Sequence, residues 1–309
     1  MSTKRQLDKL LIINSPEIEI KVCNEISTTM KRMWEFSFAE DGNNRSSGKT
    51  DFLHLSWENI LKDSFGDFKD LFVEHFSLMV EKESVKSTKT NQIKQIQDIF
   101  GSTFKVDMVI THQQKIHTVF LLKAPLTSIN KNRYNSAVCN FGEIDRFYGN
   151  HENVDIELVF VNFLPLETFT IDNKNNAIKN EKVKYLGLKQ DGRGNRPIDK
   201  IPKSKEIKDK VHEIHIDYKL NFGVNFSEIK KLAELKNLIS EKQVCVSLLP
   251  NALSELKLYM KHFLTTNARI FKITNNDCDV GGIAGKEPAT ANDNQGQELK
   301  AQTRKATVG

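Results

Sequence analysis

The sequence predicts an α/β fold, with a central mixed β-sheet flanked by helices and additional helical segments around it. Three observations predict it. Two apolar strands joined by a polar turn run through FKVDMVITHQQKIHTVFLLKAP, Phe104 to Pro125. A helical stretch and a further apolar strand, VDIELVFVNFLPL, come next. Segments with apolar residues at three-to-four spacing lie on both sides of this block, so the order helix, strand, strand, helix, strand gives the sheet helices to pack against.

From the N-terminus, residues 17–39 and 56–83 carry the helical spacing. In the second of these, Trp57, Ile60, Leu61, Phe65, Phe68, Leu71, Phe72, Phe76 and Met79 form the apolar stripe, interrupted near Gly66. The intervening EDGNNRSSGKTD is polar and rich in glycine and serine. Its GKT lacks the first glycine of a phosphate-cradling loop and a preceding apolar strand, so it reads as a connector. A short amphipathic helix is expected over Asn91 to Phe100, before the two strands, and a longer one over SINKNRYNSAVCNFGEIDRFYGN after them. HEIHIDYKLNF, His212 to Phe222, alternates as a half-buried strand. FSEIKKLAELKNLISEK places Ile229, Leu232, Leu235 and Ile239 at helical spacing, and NALSELKLYMKHFL reads as a final helix. Beyond about Asp279 the chain has no aromatic and few large aliphatic residues, which predicts a disordered tail over 279–309. The expected organisation is therefore an N-terminal helical part over 1–103, a core over 104–166 and a C-terminal part with a basic loop, a strand and helices over 167–278.

Composition bounds the function without choosing it. The 309 residues suffice for one large domain or two ordinary ones, at roughly 100–200 residues per domain. Forty-five basic residues oppose 40 acidic ones, a net +5 that by itself declares neither a nucleic acid nor a membrane surface. Cys23, Cys139, Cys245 and Cys278 are too scattered for a zinc cluster or a disulfide scaffold, which fits a reducing cytoplasm. No run approaches the ~20 apolar residues of a membrane span, and the N-terminus lacks the apolar core and cleavage site of an export signal. A cytoplasmic protein with no membrane partner is expected.

The chemistry is concentrated in the paired strands. Side chains alternate along a strand, so Lys105, Asp107 and Val109 share one face, while His117, Val119, Leu121 and Lys123 share a face of the partner. Pairing brings Asp107 and Lys123 to one side of the sheet near a common end. There a carboxylate can hold a divalent metal on a phosphate, and an ammonium can position a water and offset the charge building on phosphorus. By contrast, His212 and His215 point to opposite faces of their strand, which argues against a metal shared between them.

This hairpin, with Asp107 on one strand, Leu121-Leu122-Lys123 after thirteen intervening residues, and then a helix and a strand, resembles the core of the PD-(D/E)xK nucleases, the superfamily of many type II restriction endonucleases. The resemblance covers Phe104 to Phe163. It implies a restriction-endonuclease-like fold, a Mg2+ cofactor, double-stranded DNA as partner and a homodimer that cuts both strands of a palindrome. Two positions depart from the family pattern: Val106 stands where proline is usual, and Leu121 stands where the second acid is expected. Some nucleases of this class recruit that acid from the following helix, where this chain offers Glu143. Glu81 and Glu83 upstream are weaker candidates. The catalytic set is therefore Asp107, Lys123 and Glu143, with Asp107 and Glu143 as metal ligands.

Groups for the DNA backbone lie in two places. Lys131 and Arg133 open the helix after the lysine strand. Residues 181–210 hold ten basic against five acidic residues, a net charge equal to that of the whole chain, and QDGRGNRP within them is rich in glycine. Lys189, Arg193, Arg196 and Lys200 are its candidate contacts, the two arginines being able to bind guanine through paired hydrogen bonds. The expected function is a Mg-dependent, sequence-specific DNA endonuclease. The alternatives are a catalytically inactive DNA-binding or regulatory protein on the same scaffold, or a protein that binds other proteins through its helical C-terminal half.

Overall fold

Six strands form a single mixed sheet in the order β1-β2-β3-β4-β7-β8. A computed structural model describes residues 15–38, 48–80, 96–172, 174–184, 188 and 207–273. Within them the sheet comprises β1 (Phe76–Val80), β2 (Met108–His112), β3 (Lys115–Lys123), β4 (Glu157–Pro165), β7 (Val211–Asn221) and β8 (Cys245–Leu248). The β3-β4 and β4-β7 pairs are parallel, and the others are antiparallel. A separate hairpin, β5 (Glu167–Asp172) with β6 (Ala177–Lys182), continues from the end of β4.

Because alternate residues face opposite ways, the sheet has two cores. On one face Met108, Ile110, Phe120, Leu122, Val159, Val161, Ile214 and Ile216 pack under α1 (Pro16–Phe38), α2 (Gly48–Ser64), α3 (Lys69–His75), α5 (Leu232–Ser240) and α6 (Ser254–Thr266). On the other face Val109, Val119, Leu121, Leu158 and Phe160 pack under one helix, α4 (Ile129–Tyr148), through Ile144, Phe147 and Tyr148. The larger core takes residues from Val22 to Phe271, so the N-terminal helices, the central strands and the C-terminal elements share it. Its aromatic centre stacks Phe65 on Phe72 at 3.9 Å and Phe72 on Phe76 at 5.4 Å, with Phe263 and Phe271 against them. Such pairs contribute about 0.5–1.5 kcal/mol each beyond area burial.

Several expected elements are corrected. The helix read over 56–83 ends at Ser64. Gly66 turns the chain at φ +41°, α3 adds only seven residues, and Phe76–Val80 is the edge strand β1. Residues 81–83, with Glu81 and Glu83, and the tail over 279–309 lie outside the described residues, as does the connector read over 40–51 up to residue 47; its last four residues, 48–51, are instead the first turn of α2. The described end of the helix expected over Asn91–Phe100 is a loop, in which Gln97 bridges Thr103. The first strand of the hairpin begins at Met108 rather than Phe104.

That loop is fastened by a buried acid. Asp98 accepts the N–H groups of Phe100 and Ser102 at 2.9 and 3.0 Å and the guanidinium of Arg146, whose Nε lies at 3.0 Å. The Arg146 guanidinium holds the Asp98 carboxyl below its ordinary value, helped by those two N–H groups against the opposing effect of burial. A carboxyl depressed on folding adds stability above its unfolded value of about 3.9 and loses it as pH falls through the folded value. Arg146→Ala is accordingly expected to lower the urea midpoint at neutral pH and to flatten its fall below about pH 4. Denaturation curves at a series of pH values check both.

Candidate functional site

A row of polar groups crosses the parallel strands at the level where β3 ends. Register aligns Lys123 with Asn162 and Asn162 with His215, and one step earlier Leu121 with Phe160 and Phe160 with Glu213. Residues aligned in this way face the same side, so Lys123, Asn162, Glu213 and His215 all rise beneath α4. The carboxyl ends of parallel strands are where open α/β sheets place their ligands.

Lys123 is held by α4. Its Nζ lies 2.9 Å from Glu143 Oε2, hydrogen-bonds the Oδ1 of the fully buried Asn140, and stands 5.3 Å from the centre of the Phe160 ring. The helix begins at Ile129, so Glu143 lies about 20 Å along its axis at 1.5 Å per residue. It still meets Lys123 because the first half of α4 extends past the sheet. There Asn130 donates to Glu181 Oε2 at 3.0 Å and to the Lys182 carbonyl at 2.8 Å, and only from Asn140 onward does the helix lie over the strands.

Asp107 occupies the point where β2 and β3 separate. Met108–Phe120 is the last ladder pair. Beyond it the Asp107 N–H donates to the Phe120 carbonyl at 3.1 Å, and the Leu122 N–H donates to Asp107 Oδ2 at 2.6 Å. The carboxylate thus takes the place of a ladder carbonyl. Its Oδ1 is 3.2 Å from Nε2 of His54 on α2. Among the described residues no hydrogen bond or ion pair joins Asp107 to Lys123 or Glu143. The structure therefore brings Lys123 and Glu143 into contact, but it corrects the shared face expected for Asp107 and Lys123. Strand alternation breaks before Met108, so that Phe104 and Val106 join Val109 in the core under α4, while Asp107 lies against the Leu122 N–H and His54 of α2, a helix of the opposite face. The side chains of Asp107, Lys123 and Glu143 are 29%, 28% and 31% exposed, so solvent reaches all three.

Sequence reasoning missed the groups around them. His54, Asn140, Asn162, Glu213 and His215 come from four different elements, and only the alternation of β7, which puts Glu213 and His215 on one face, was readable in advance. Glu213 is buried, accepts the Leu188 N–H at 2.8 Å and lies 3.2 Å from His215 Nε2. Burial pulls the His215 imidazole down, but its hydrogen bond to the Glu213 carboxylate and the charges of Glu213, Glu255 and Asp217 outweigh it, and the net shift is upward.

Lys131 is exposed, and Arg133 packs over the exposed Tyr134 ring at 4.9 Å, both on the projecting half of α4. Lys189, Arg193, Arg196 and Lys200 lie outside the described residues. The described flanks of that segment, Leu188 and Ile207, are both buried in the core beneath α4.

At the other end of the same strands and on the opposite face, Glu157, His212 and His262 converge. No sequence spacing pointed to them. His212 and His215 do face opposite sides: His212 meets Tyr259 and His262 of α6, while His215 meets Glu213.

No protein-family model matches the chain, and neither the curated proteins nor the solved structures contain a significant match. Among the described residues no helix is long and apolar enough to cross a membrane.

Proposed function

We propose that the chain is a Mg-dependent DNA endonuclease that hydrolyses phosphodiester bonds in duplex DNA. One observation carries the reading. The partly exposed ammonium of Lys123 is fixed between Glu143 and a buried amide at the end of a parallel strand, and the carboxylate of Asp107 is bonded to the N–H of the preceding residue. A half-exposed ion pair contributes only about 0–1 kcal/mol, so stability is a poor reason to bury Asn140 beneath it.

The donors suit magnesium, which takes carboxylate oxygens and needs only one or two of them beside water and phosphate. Asp107 would hold it, with Glu143 as the second acid. When bound, the ion supplies positive charge at a phosphate oxygen and a more acidic water. Lys123 orients the attacking water and offsets charge on the phosphorane, Glu143 keeps the ammonium aimed, and the Leu122 N–H and His54 fix the carboxylate of Asp107. Lys131, Arg133 and the segment bearing Lys189, Arg193, Arg196 and Lys200 grip the backbone. A homodimer would present two such sites to the two strands.

A second reading has its own support: Leu121, at the position of the missing acid, is buried and apolar, as in a scaffold that binds DNA without cutting it. Incubating supercoiled plasmid with the protein, with and without Mg2+, tests the proposal. Metal-dependent nicking or linearisation is expected, and binding without cleavage selects the second reading.

The DNA grip has a separate expected result. Lys131→Ala with Arg133→Ala should reduce the slope of log affinity against log salt by about 0.9 for each phosphate that the protein no longer neutralises. Replacing Lys189, Arg193, Arg196 and Lys200 should reduce it further. Fluorescence anisotropy at a series of salt concentrations measures the slope, and an unchanged slope removes those residues from the interface.

A further inference from the structure

Far from Lys123, three elements bring metal-ligating side chains to one point. Glu157 opens β4, His212 lies near the start of β7 and His262 is in the middle of α6, and one ligand atom from each falls within 4.8 Å of the others. His262 Nε2 and Glu157 Oε1 are 2.9 Å apart, and the two imidazole rings are centred 4.5 Å apart. Glu157 aligns with Thr118 and Asn162 aligns with Lys123, so this point is five residues, about 17 Å, from the nuclease-like end. It also lies on the face that packs under α6, whereas Lys123 lies beneath α4.

We infer that Glu157, His212 and His262 form a binding site for a divalent transition-metal ion of the zinc type, separate from any magnesium at Asp107. Two imidazoles and one carboxylate are the donor set that zinc takes when it keeps a fourth position for water. Magnesium, which prefers oxygen donors, is selected against by the same set. At Zn–N and Zn–O distances of about 2.0–2.1 Å, tetrahedral ligands sit about 3.3 Å apart, a contraction that side-chain rotation provides from the present spacing.

The surroundings are those of a supported site. Glu157 is only 4% exposed in its side chain, and Thr118 Oγ lies 3.5 Å from its Oε2, on the side away from His262. The ring of Tyr259 stands edge-on to His212 at 5.3 Å and limits its rotation. Such outer groups set ligand orientation in metal sites. His262 is 35% exposed, which leaves solvent access for the ion and its water. Bound there, the ion ties α6 to the starts of β4 and β7, in addition to the contact of His262 with Glu157, the His215 N–H donating to Glu255, and apolar contacts such as Phe120 with Tyr259.

The test uses the full chain, dialysed against chelator and then titrated with Zn2+ by calorimetry, with Co2+ absorption as a probe of coordination. One equivalent per chain is expected, with a tetrahedral Co2+ spectrum and no displacement by millimolar Mg2+. Loss of outer partners alone costs about 10–100-fold in metal affinity, so His262→Gln and His212→Gln should each weaken Zn2+ binding by about 100-fold or more. Asp107→Asn should leave it unchanged. Circular dichroism on the variants checks folding, and the wild-type Co2+ spectrum decides the matter if a variant fails to fold. Absence of stoichiometric binding, a Co2+ spectrum without imidazole-type tetrahedral bands, unchanged affinity in His262→Gln, or loss in Asp107→Asn would overturn the assignment.

Discussion

Asp107→Asn is expected to abolish Mg-dependent plasmid cleavage while leaving the fold and DNA binding nearly intact. The asparagine keeps an oxygen for the Leu122 N–H, which in the native chain donates to the carboxylate at 2.6 Å. It exchanges a charge-assisted hydrogen bond for a neutral one, a change of about 1 kcal/mol. Alanine is the harsher replacement, because it strands that N–H at the point where β2 and β3 part, at about 1–3 kcal/mol. The two variants together separate chemistry from architecture. Loss of several kcal/mol of electrostatic stabilisation at the phosphate corresponds to about 10³-fold in rate, far more than the structural effect of the asparagine. Initial rates of supercoil loss for wild type and both variants, with urea midpoints alongside, make the comparison. Wild-type rates in Asp107→Asn would remove Asp107 from the mechanism. Equal losses of rate and stability in both variants would make it a structural residue of the β2-β3 junction.

What the sequence disclosed follows the strength of its periodicities. The strands β3, β4 and β7 and the helices α4 and α6 carry long, regular apolar patterns, and the structure has them within a few residues of the expected bounds. The helix expected over 226–242, by contrast, is α5 only from Leu232 to Ser240, Phe226–Glu228 being a separate 3-10 turn and Ile229 extended. The misses have local causes. Phe72, Phe76 and Met79 continue a helical spacing numerically, yet the chain changes to a strand because Phe76–Val80 can pair with β2 along its whole length. The hairpin β5-β6 has AIKNEK as its second strand, too polar to register as one, and β8 is four residues long at a sheet edge. The contact between Lys123 and Glu143 was half-legible: alternation and helical spacing named both residues, but the axial distance along α4 argued against their meeting. The projection of that helix onto β6 resolves the conflict, and only tertiary packing could supply it. Glu157, His212 and His262 were hidden altogether, because they lie at least fifty residues apart in the chain and no local spacing links them.

Glu143→Gln is expected to suppress cleavage by about as much as Asp107→Asn, and Leu121→Glu to restore nothing. Glu143 reaches Lys123 at 2.9 Å, and the pair is partly exposed, so removing its charge should change stability by no more than about 1 kcal/mol. A large loss of rate therefore reports chemistry: the ammonium loses the group that aims it, and the metal loses its second acid. Leu121 is the other place an acid could stand, facing the same side as Lys123 but packed with Val119, Phe160 and Ile144 at 6% exposure. A glutamate there forfeits about 1.5–3 kcal/mol of apolar burial, and burial would raise its own pKa, so it enters the site in the protonated form that binds metal poorly. Leu121→Glu should consequently lower the melting temperature without raising the cleavage rate, even at elevated Mg2+. The double variant Leu121→Glu with Glu143→Gln is the sharper comparison, since it asks whether the family's usual position can replace the helix acid. Recovery of cleavage in the double variant would show the two positions to be interchangeable. A silent Glu143→Gln beside a gain in Leu121→Glu would mean that α4 supplies no acid and that this scaffold parted with its chemistry at position 121.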